Sequence, residues 1–189
     1  MRSLLPLLNN KMKILDVGGT YEFWTKLAIP FKNITLLNLV PSFNAGYRTV
    51  VGNGCDMDMF KDKEFDFVVS HSTIEHVGTF EDQKRMAEEI RRVGRGYYVQ
   101  TPHFHIPIEP HFFLPYFQYL PRKLRIYALA YVPTVFYRHV LNLDLATQFV
   151  DSVRLLRVKE FRMLFPDAEI RTERLMGVPV AQIAIKRDG

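Results

Sequence analysis

Cysteine is almost missing from this chain. Cys55 is the single one among 189 residues, which excludes an internal disulfide and fits a reducing, cytoplasmic compartment. Long apolar runs are missing too. The longest uncharged stretch, Ile126–Tyr137, is too short to span a bilayer and contains Pro133. Met1–Lys11 carries one arginine and a short leucine run, with the first core strand directly after it, so no cleaved signal peptide is expected. No internal repeat or low-complexity segment occurs. The first apolar run is not followed by G-x-G-x-x-G, nor by an acid about twenty residues on, which argues against a nicotinamide-binding fold.

What is present suits one ordinary domain. Its length allows a real core, and 48% apolar with 24% charged residues is normal for a globular chain. The net charge of +5 is modest. Its cations cluster at Arg122–Arg125 and along Arg154–Arg162, where nucleic acid or anionic lipid could meet them. Solvated helix faces account for them equally well, and better on general grounds.

Apolar runs predict strands at Met12–Val17, Asn33–Leu39, Tyr47–Val51, Phe65–Ser70 and Tyr97–Gln100. A helix over Thr20–Leu27 should close at Pro30. The clearest helix is Thr79–Val93: Thr79 and Asp82 form a weak capping box, acids lead, arginines trail, and Gly94 stops it. Residues 101–150 then break the rhythm with prolines and aromatics, and read as an inserted, partly helical cap over the strand ends. Val158–Phe165 predicts a last helix, and Glu169–Glu173 with Val180–Lys186 a closing antiparallel pair. The expected fold is α/β: a Rossmann-like, mostly parallel seven-stranded sheet with an antiparallel last strand and helices on both faces.

Four segments carry the function: ILDVGGT at Ile14–Thr20, LLNLVPS at Leu36–Ser42, GNGCDM at Gly52–Met57 and FDFVVSHSTIEHV at Phe65–Val77. A parallel sheet binds its ligand where such strands end. The pair Gly18 and Gly19 lets backbone approach a ligand without a Cβ in the way, so an adenosine-type cofactor is expected. In this order, and with RRVGRGYYVQTP after the second helix, the segments resemble the class I S-adenosylmethionine-dependent methyltransferases from about Ile14 to Gln100. That resemblance implies S-adenosylmethionine as cofactor. Asp16, Gly18, Gly19 and Thr20 would lie at its methionine end, Asn38 and Leu39 at its ribose, Asn53, Gly54, Cys55 and Asp56 near its adenine, and His71 at the end of the fourth strand. Asn38 and Asn53 stand where the family usually has acids, and the DVGGT loop lacks the family's later glycine.

Five of the six histidines fall at two strand ends: His71 and His76, then His103, His105 and His111. Methyl transfer to a hydroxyl needs a proton acceptor, and His103 and His111 are the candidates. Histidines with Glu109 could also ligate a metal. Prolines at 107 and 110 stiffen that stretch, so convergence is not legible from spacing. The E-x-x-E-H pattern of some metal-binding quinone O-methyltransferases is met by Ser72, Glu75 and His76, with its first ligand lost. No metal is expected. The leading reading is methylation, at oxygen, of a small-molecule or lipid-linked acceptor. The alternatives are a non-catalytic binding protein on the same fold and, less favoured, an RNA methyltransferase. Residues 121–137, three cations before an apolar aromatic run, could touch an anionic membrane. A packed helix is the competing expectation there.

Overall fold

The computed structural model describes residues 4–26, 33–41, 46–132 and 141–187. Strands are numbered along the chain. β1 (Ile14–Val17) buries every side chain, as a strand paired on both edges and covered on both faces must. It runs parallel to β2 (Ile34–Asn38) on one side and β4 (Phe65–His71) on the other. β3 (Arg48–Val51) joins β2, and β5 (Gly94–Pro102) joins β4, both in parallel. Beyond β5 lie β9 (Val178–Lys186) and β8 (Glu169–Leu175), each antiparallel to its neighbour. The resulting order is β3-β2-β1-β4-β5-β9-β8, with seven strands, so β9 alone opposes the rest. This is the expected Rossmann-like sheet.

Alternating side chains feed two cores. Leu15, Val17, Val68, Tyr97 and Val99 pack with Met86 and Ile90 of α2 (Phe80–Val93) and Phe161 of α5 (Val158–Leu164). Ile14, Leu36, Phe67, Val69 and Tyr98 face the other way, against Leu4 and Trp24. Helices do cover both faces, but unequally: the second cover is α1 (Tyr21–Thr25) and a single turn at Leu5–Leu7. Thr20 caps α1, its hydroxyl accepting from Phe23 N–H at 3.3 Å. The capping box of α2 is complete. Thr79 Oγ1 accepts from Asp82 N–H while the Asp82 carboxylate accepts from Thr79 N–H at 2.9 Å.

Two expectations differ in detail. β5 is longer than Tyr97–Gln100, because pairing with β4 draws Gly94 and Gly96 into extended backbone and pairing with β9 carries the strand on to Pro102. α1 ends at Thr25; the expected stop at Pro30, and Pro133, lie outside the described residues. The cap is partly helical, as expected. A small hairpin of β6 (Ile108–Glu109) and β7 (Leu114–Pro115) precedes α3 (Arg122–Tyr131) and α4 (Leu143–Asp151). Phe112, Phe117, Leu129, Ala130, Ala146 and Val150 give these elements a core of their own. Within the segment 121–137, Arg122 is held by Asp151 and the Leu129–Ala130 side of α3 is buried; residues 133–137 lie outside the described ones. Among the described residues, no helix is long and apolar enough to cross a membrane.

One buried amide joins sheet, helix and cap. Gln83 of α2, fully buried, donates through Nε2 to Ile74 O at 3.0 Å and Arg154 O at 2.8 Å, and its Oε1 accepts from Arg154 Nη1 at 2.8 Å. Gln83→Leu keeps the bulk and strips all three bonds. Unsatisfied buried groups cost about 1–3 kcal/mol each, so urea unfolding should show a loss of roughly 2–4 kcal/mol. A loss below about 0.5 kcal/mol would show that water replaces these bonds freely.

Candidate functional site

The carboxyl ends of β1 and β2, the turn after β3 and the loop after β4 enclose a cleft of about 420 Å³. It sits beside β1 and β4, where strand order reverses, as ligand sites of open α/β sheets do. Gly18, Asn38, Leu39, Asn53, Gly54 and Cys55 line it. His76, singled out in the sequence with Glu75, also lines it, whereas sequence reasoning passed over Thr73, Asp82 and Met86 as cofactor residues. The signal for these was available: Thr73 follows the fourth strand, and Asp82 opens α2.

The glycine pair is required by the protein itself. Gly18 has φ +78°, and a Cβ there would lie 2.4 Å from Thr73 Oγ1 and Cγ2. At Gly19 a Cβ would fall 1.7 Å from Asp16 Oδ2. Asp16 therefore does not enter the cleft. It sits 1% exposed beneath the loop, where Trp24 Nε1–H donates to Oδ2 at 2.6 Å, and Oδ1 has no hydrogen-bond partner. Asn38 Nδ2–H donates to Gly19 O at 3.0 Å, a bond that the family's usual carboxylate could not make. Asn53 shapes its own turn, its Oδ1 accepting from Cys55 N–H at 2.9 Å. Asp56 closes that turn and is exposed. Gly19, Thr20, Asp56 and His71 do not line the cleft; the His71 ring rests on Phe23, with centroids 5.3 Å apart.

Cys55 and Asp82 mark one wall of the cleft. The Cys55 thiol donates to Asp82 O at 3.3 Å, and burial, then the Asp82 charge, hold its pKa above the ordinary value. Asp82 is pulled down to about 2, first by its bonds from Thr79 and Arg85, so it is ionised at neutral pH.

The expected histidines separate. His103 is 6% exposed, its N–H bonded to Val180 O and its Nδ1 accepting from His105 N–H at 3.1 Å; it does not line the cleft. His111 instead meets His76, ring centroids 4.8 Å apart and edge to face. Glu75 completes the group: one donor atom from each of Glu75, His76 and His111 lies within 4.8 Å of the others. Behind them Glu109, 2% exposed, accepts from His111 Nδ1 at 2.6 Å and from the N–H groups of His111 and Phe112. Burial lowers the His111 pKa, but the Glu109 bond and charge outweigh it and leave it raised. Burial, then the His111 charge, lower that of His76. Glu75 is fully buried, takes a hydrogen bond from Thr101 Oγ1 at 2.9 Å, and is pushed up to about 7 by burial. His76 lines the cleft, while Glu109 lines a second cavity of about 210 Å³ with Arg125, Arg154 and Arg157. The cluster thus stands between the two.

Burial also raises the Asp16 pKa to about 7, against the Trp24 bond, which lowers it. An acid raised on folding stabilises the fold fully below its unfolded pKa and loses that contribution as pH rises through the folded one. From pH 4 to 8, Asp16 should therefore cost wild type on the order of 3–4 kcal/mol. Asp16→Asn keeps an acceptor for Trp24 and should remove that decline, as paired urea titrations across the range will read. Parallel stability profiles for the two proteins would refute the raised pKa.

Residues 15–96 match the family described as Methyltransferase domain. Two uncharacterised proteins of Mycobacterium tuberculosis strains are each 33% identical over 60 residues, which is 32% of this chain and 20% of theirs. The match thus spans about a fifth of these curated relatives. Among solved structures, a SAM-dependent methyltransferase from Methanosarcina mazei superposes with TM-score 0.57 at 17% identity, covering 98% of this chain and 95% of its own. One from Aquifex aeolicus gives 0.55 at 12% identity, over 97% and 87%. PigF, solved with SAH, gives 0.53 at 12%, over 94% and 57%. With its methyltransferase-domain match at 15–96 and its seven-stranded sheet, the chain shares the fold of these S-adenosylmethionine-dependent methyltransferases.

Proposed function

We propose that this protein binds S-adenosylmethionine in the strand-end cleft and transfers its methyl group to an oxygen of a small-molecule or lipid-linked acceptor. The observation that carries this reading is the cleft itself. Backbone at Gly18, Gly52 and Gly54 and amides at Asn38 and Asn53 surround a space within the range of cofactor sites. Leu39 and Val40 stand 74% and 69% exposed at its lip. A purine laid on them would remove apolar surface from water. PigF, which shares the fold, was solved with SAH.

Transfer is an in-line displacement. The acceptor oxygen attacks the methyl carbon, the carbon–sulfur bond breaks, and sulfur keeps the electron pair, leaving S-adenosylhomocysteine. Positioning supplies most of the acceleration, and the acceptor proton must be taken up. Glu75, His76 and His111, next to the cleft and backed by Glu109, assist its loss, as bases or through an ion that they hold. The second cavity receives the acceptor. Arg125, half-buried with no partner for its Nε, favours one with an anionic group.

The lone cysteine reports occupancy of the cleft directly. S-adenosylhomocysteine should slow alkylation of Cys55 by a maleimide several-fold, read as intact mass against time. Asn38→Ala loses the tie to Gly19 and the amide's contacts with the cofactor, at about 1 kcal/mol per hydrogen bond. It should shift the protecting concentration up roughly 5- to 30-fold. Unchanged alkylation at millimolar S-adenosylhomocysteine would exclude cofactor binding in this cleft.

A further inference from the structure

We propose that Glu75, His76 and His111 form a binding site for one divalent transition-metal ion, zinc in the first instance, with Glu109 as its supporting carboxylate. The three donors come from two separate parts of the fold: the turn after β4 and the cap hairpin. Their donor atoms lie within 4.8 Å of one another. Ligands around tetrahedral zinc are ~3.3 Å apart, so side-chain adjustments of about an ångström close the site.

The hydrogen bonds behind the ligands point the same way. His76 Nδ1 faces Ser152 O at 3.3 Å, and a carbonyl only accepts, so Nδ1 carries the proton and Nε2 keeps its lone pair. His111 Nδ1 is bonded to Glu109 Oε1 at 2.6 Å, which likewise leaves Nε2 for a ligand. Glu109 is itself fixed by two backbone N–H groups. A carboxylate behind one imidazole and a carbonyl behind the other is the usual support of metal-bound histidine. An independent observation comes from Glu75. It is fully buried, Thr101 satisfies Oε2, and among the described residues Oε1 has no hydrogen-bond partner even with two imidazoles close by. A cation at the centre supplies what that oxygen lacks.

Two imidazole nitrogens and one carboxylate oxygen suit zinc, cobalt(II) or iron(II) better than magnesium or calcium. Three protein ligands leave a position open. His76 borders the cofactor cleft, so that position is within reach of an acceptor there. On the methyltransferase reading, an acceptor hydroxyl bound to the ion would give up its proton to solvent near neutral pH. Its oxygen would then be the nucleophile. Only this last role rests on that reading; the site does not.

The test titrates chelator-stripped full-length protein with zinc by calorimetry and with cobalt(II) by visible absorption. One equivalent should bind at micromolar concentration or below, and cobalt should give the intense bands of a four- or five-coordinate site. Glu75→Gln and His111→Ala should each weaken binding at least about 100-fold, and Glu109→Gln, which acts through His111, about 10- to 100-fold. His105→Ala, outside the cluster, should bind as wild type does. Circular dichroism and thermal midpoints report folding; should His111→Ala unfold, His76→Ala, at an exposed position, takes its place. Wild type that binds neither ion below about 100 µM, or variants that bind as wild type does, would overturn the site. Titration with S-adenosylhomocysteine on the same stripped protein reports on the cofactor cleft separately, so either idea can fail alone.

Discussion

Gln83 holds the working edge of the molecule together. Its amide bonds both the turn after β4, through Ile74 O, and the segment after the cap, through Arg154 O and the Arg154 guanidinium. Those are the two pieces of chain that must meet for a site to exist. The Glu75 carbonyl adds a fourth link, accepting from Arg154 N–H at 2.8 Å. Because Gln83 is on α2, and α2 is anchored to the sheet by Met86, Ala87, Ile90 and Val93, packing in the core sets the position of loops that the core does not contain. Rigid elements positioning functional loops is the normal division of labour in this kind of fold.

The sheet was legible because its strands are unbroken apolar runs separated by helix signals, a pattern that few architectures satisfy. Boundaries were less so. Gly94 and Gly96 look like punctuation in the sequence, yet both lie inside β5, where close approach of Val68 and the Lys186 carbonyl leaves no room for a Cβ. Propensity described the residue, and pairing with β4 decided its conformation. The unequal cover of the two faces was equally hidden, since composition does not say which face a short helix will occupy.

At the site, strand-end positions were readable and individual roles were not. Gly18, Asn38, Leu39, Asn53, Gly54 and Cys55 do line one cleft. Asp16 and Gly19 look like cofactor residues by position, but they fit one another instead: the buried carboxylate fills the space a side chain at 19 would need. Asn38 looks like a departure from pattern, and the reason is local, since only an amide can donate to the Gly19 carbonyl. His103 and His111 are equivalent in sequence, both polar residues in a proline-stiffened stretch. Tertiary structure separates them, burying one against Val180 and turning the other toward His76. A meeting of residues 76 and 111 depends on how the cap folds back, and no local spacing encodes that.

All of this places two kinds of chemistry at one edge: a cleft suited to an adenosine cofactor and, beside it, a buried carboxylate with two imidazoles. The cofactor is the central claim, and calorimetric titration of the full-length protein with S-adenosylhomocysteine tests it most directly. The account predicts saturable binding of one equivalent, at micromolar to submillimolar concentration. No heat of binding at millimolar ligand, from protein whose circular dichroism shows it folded, would contradict it.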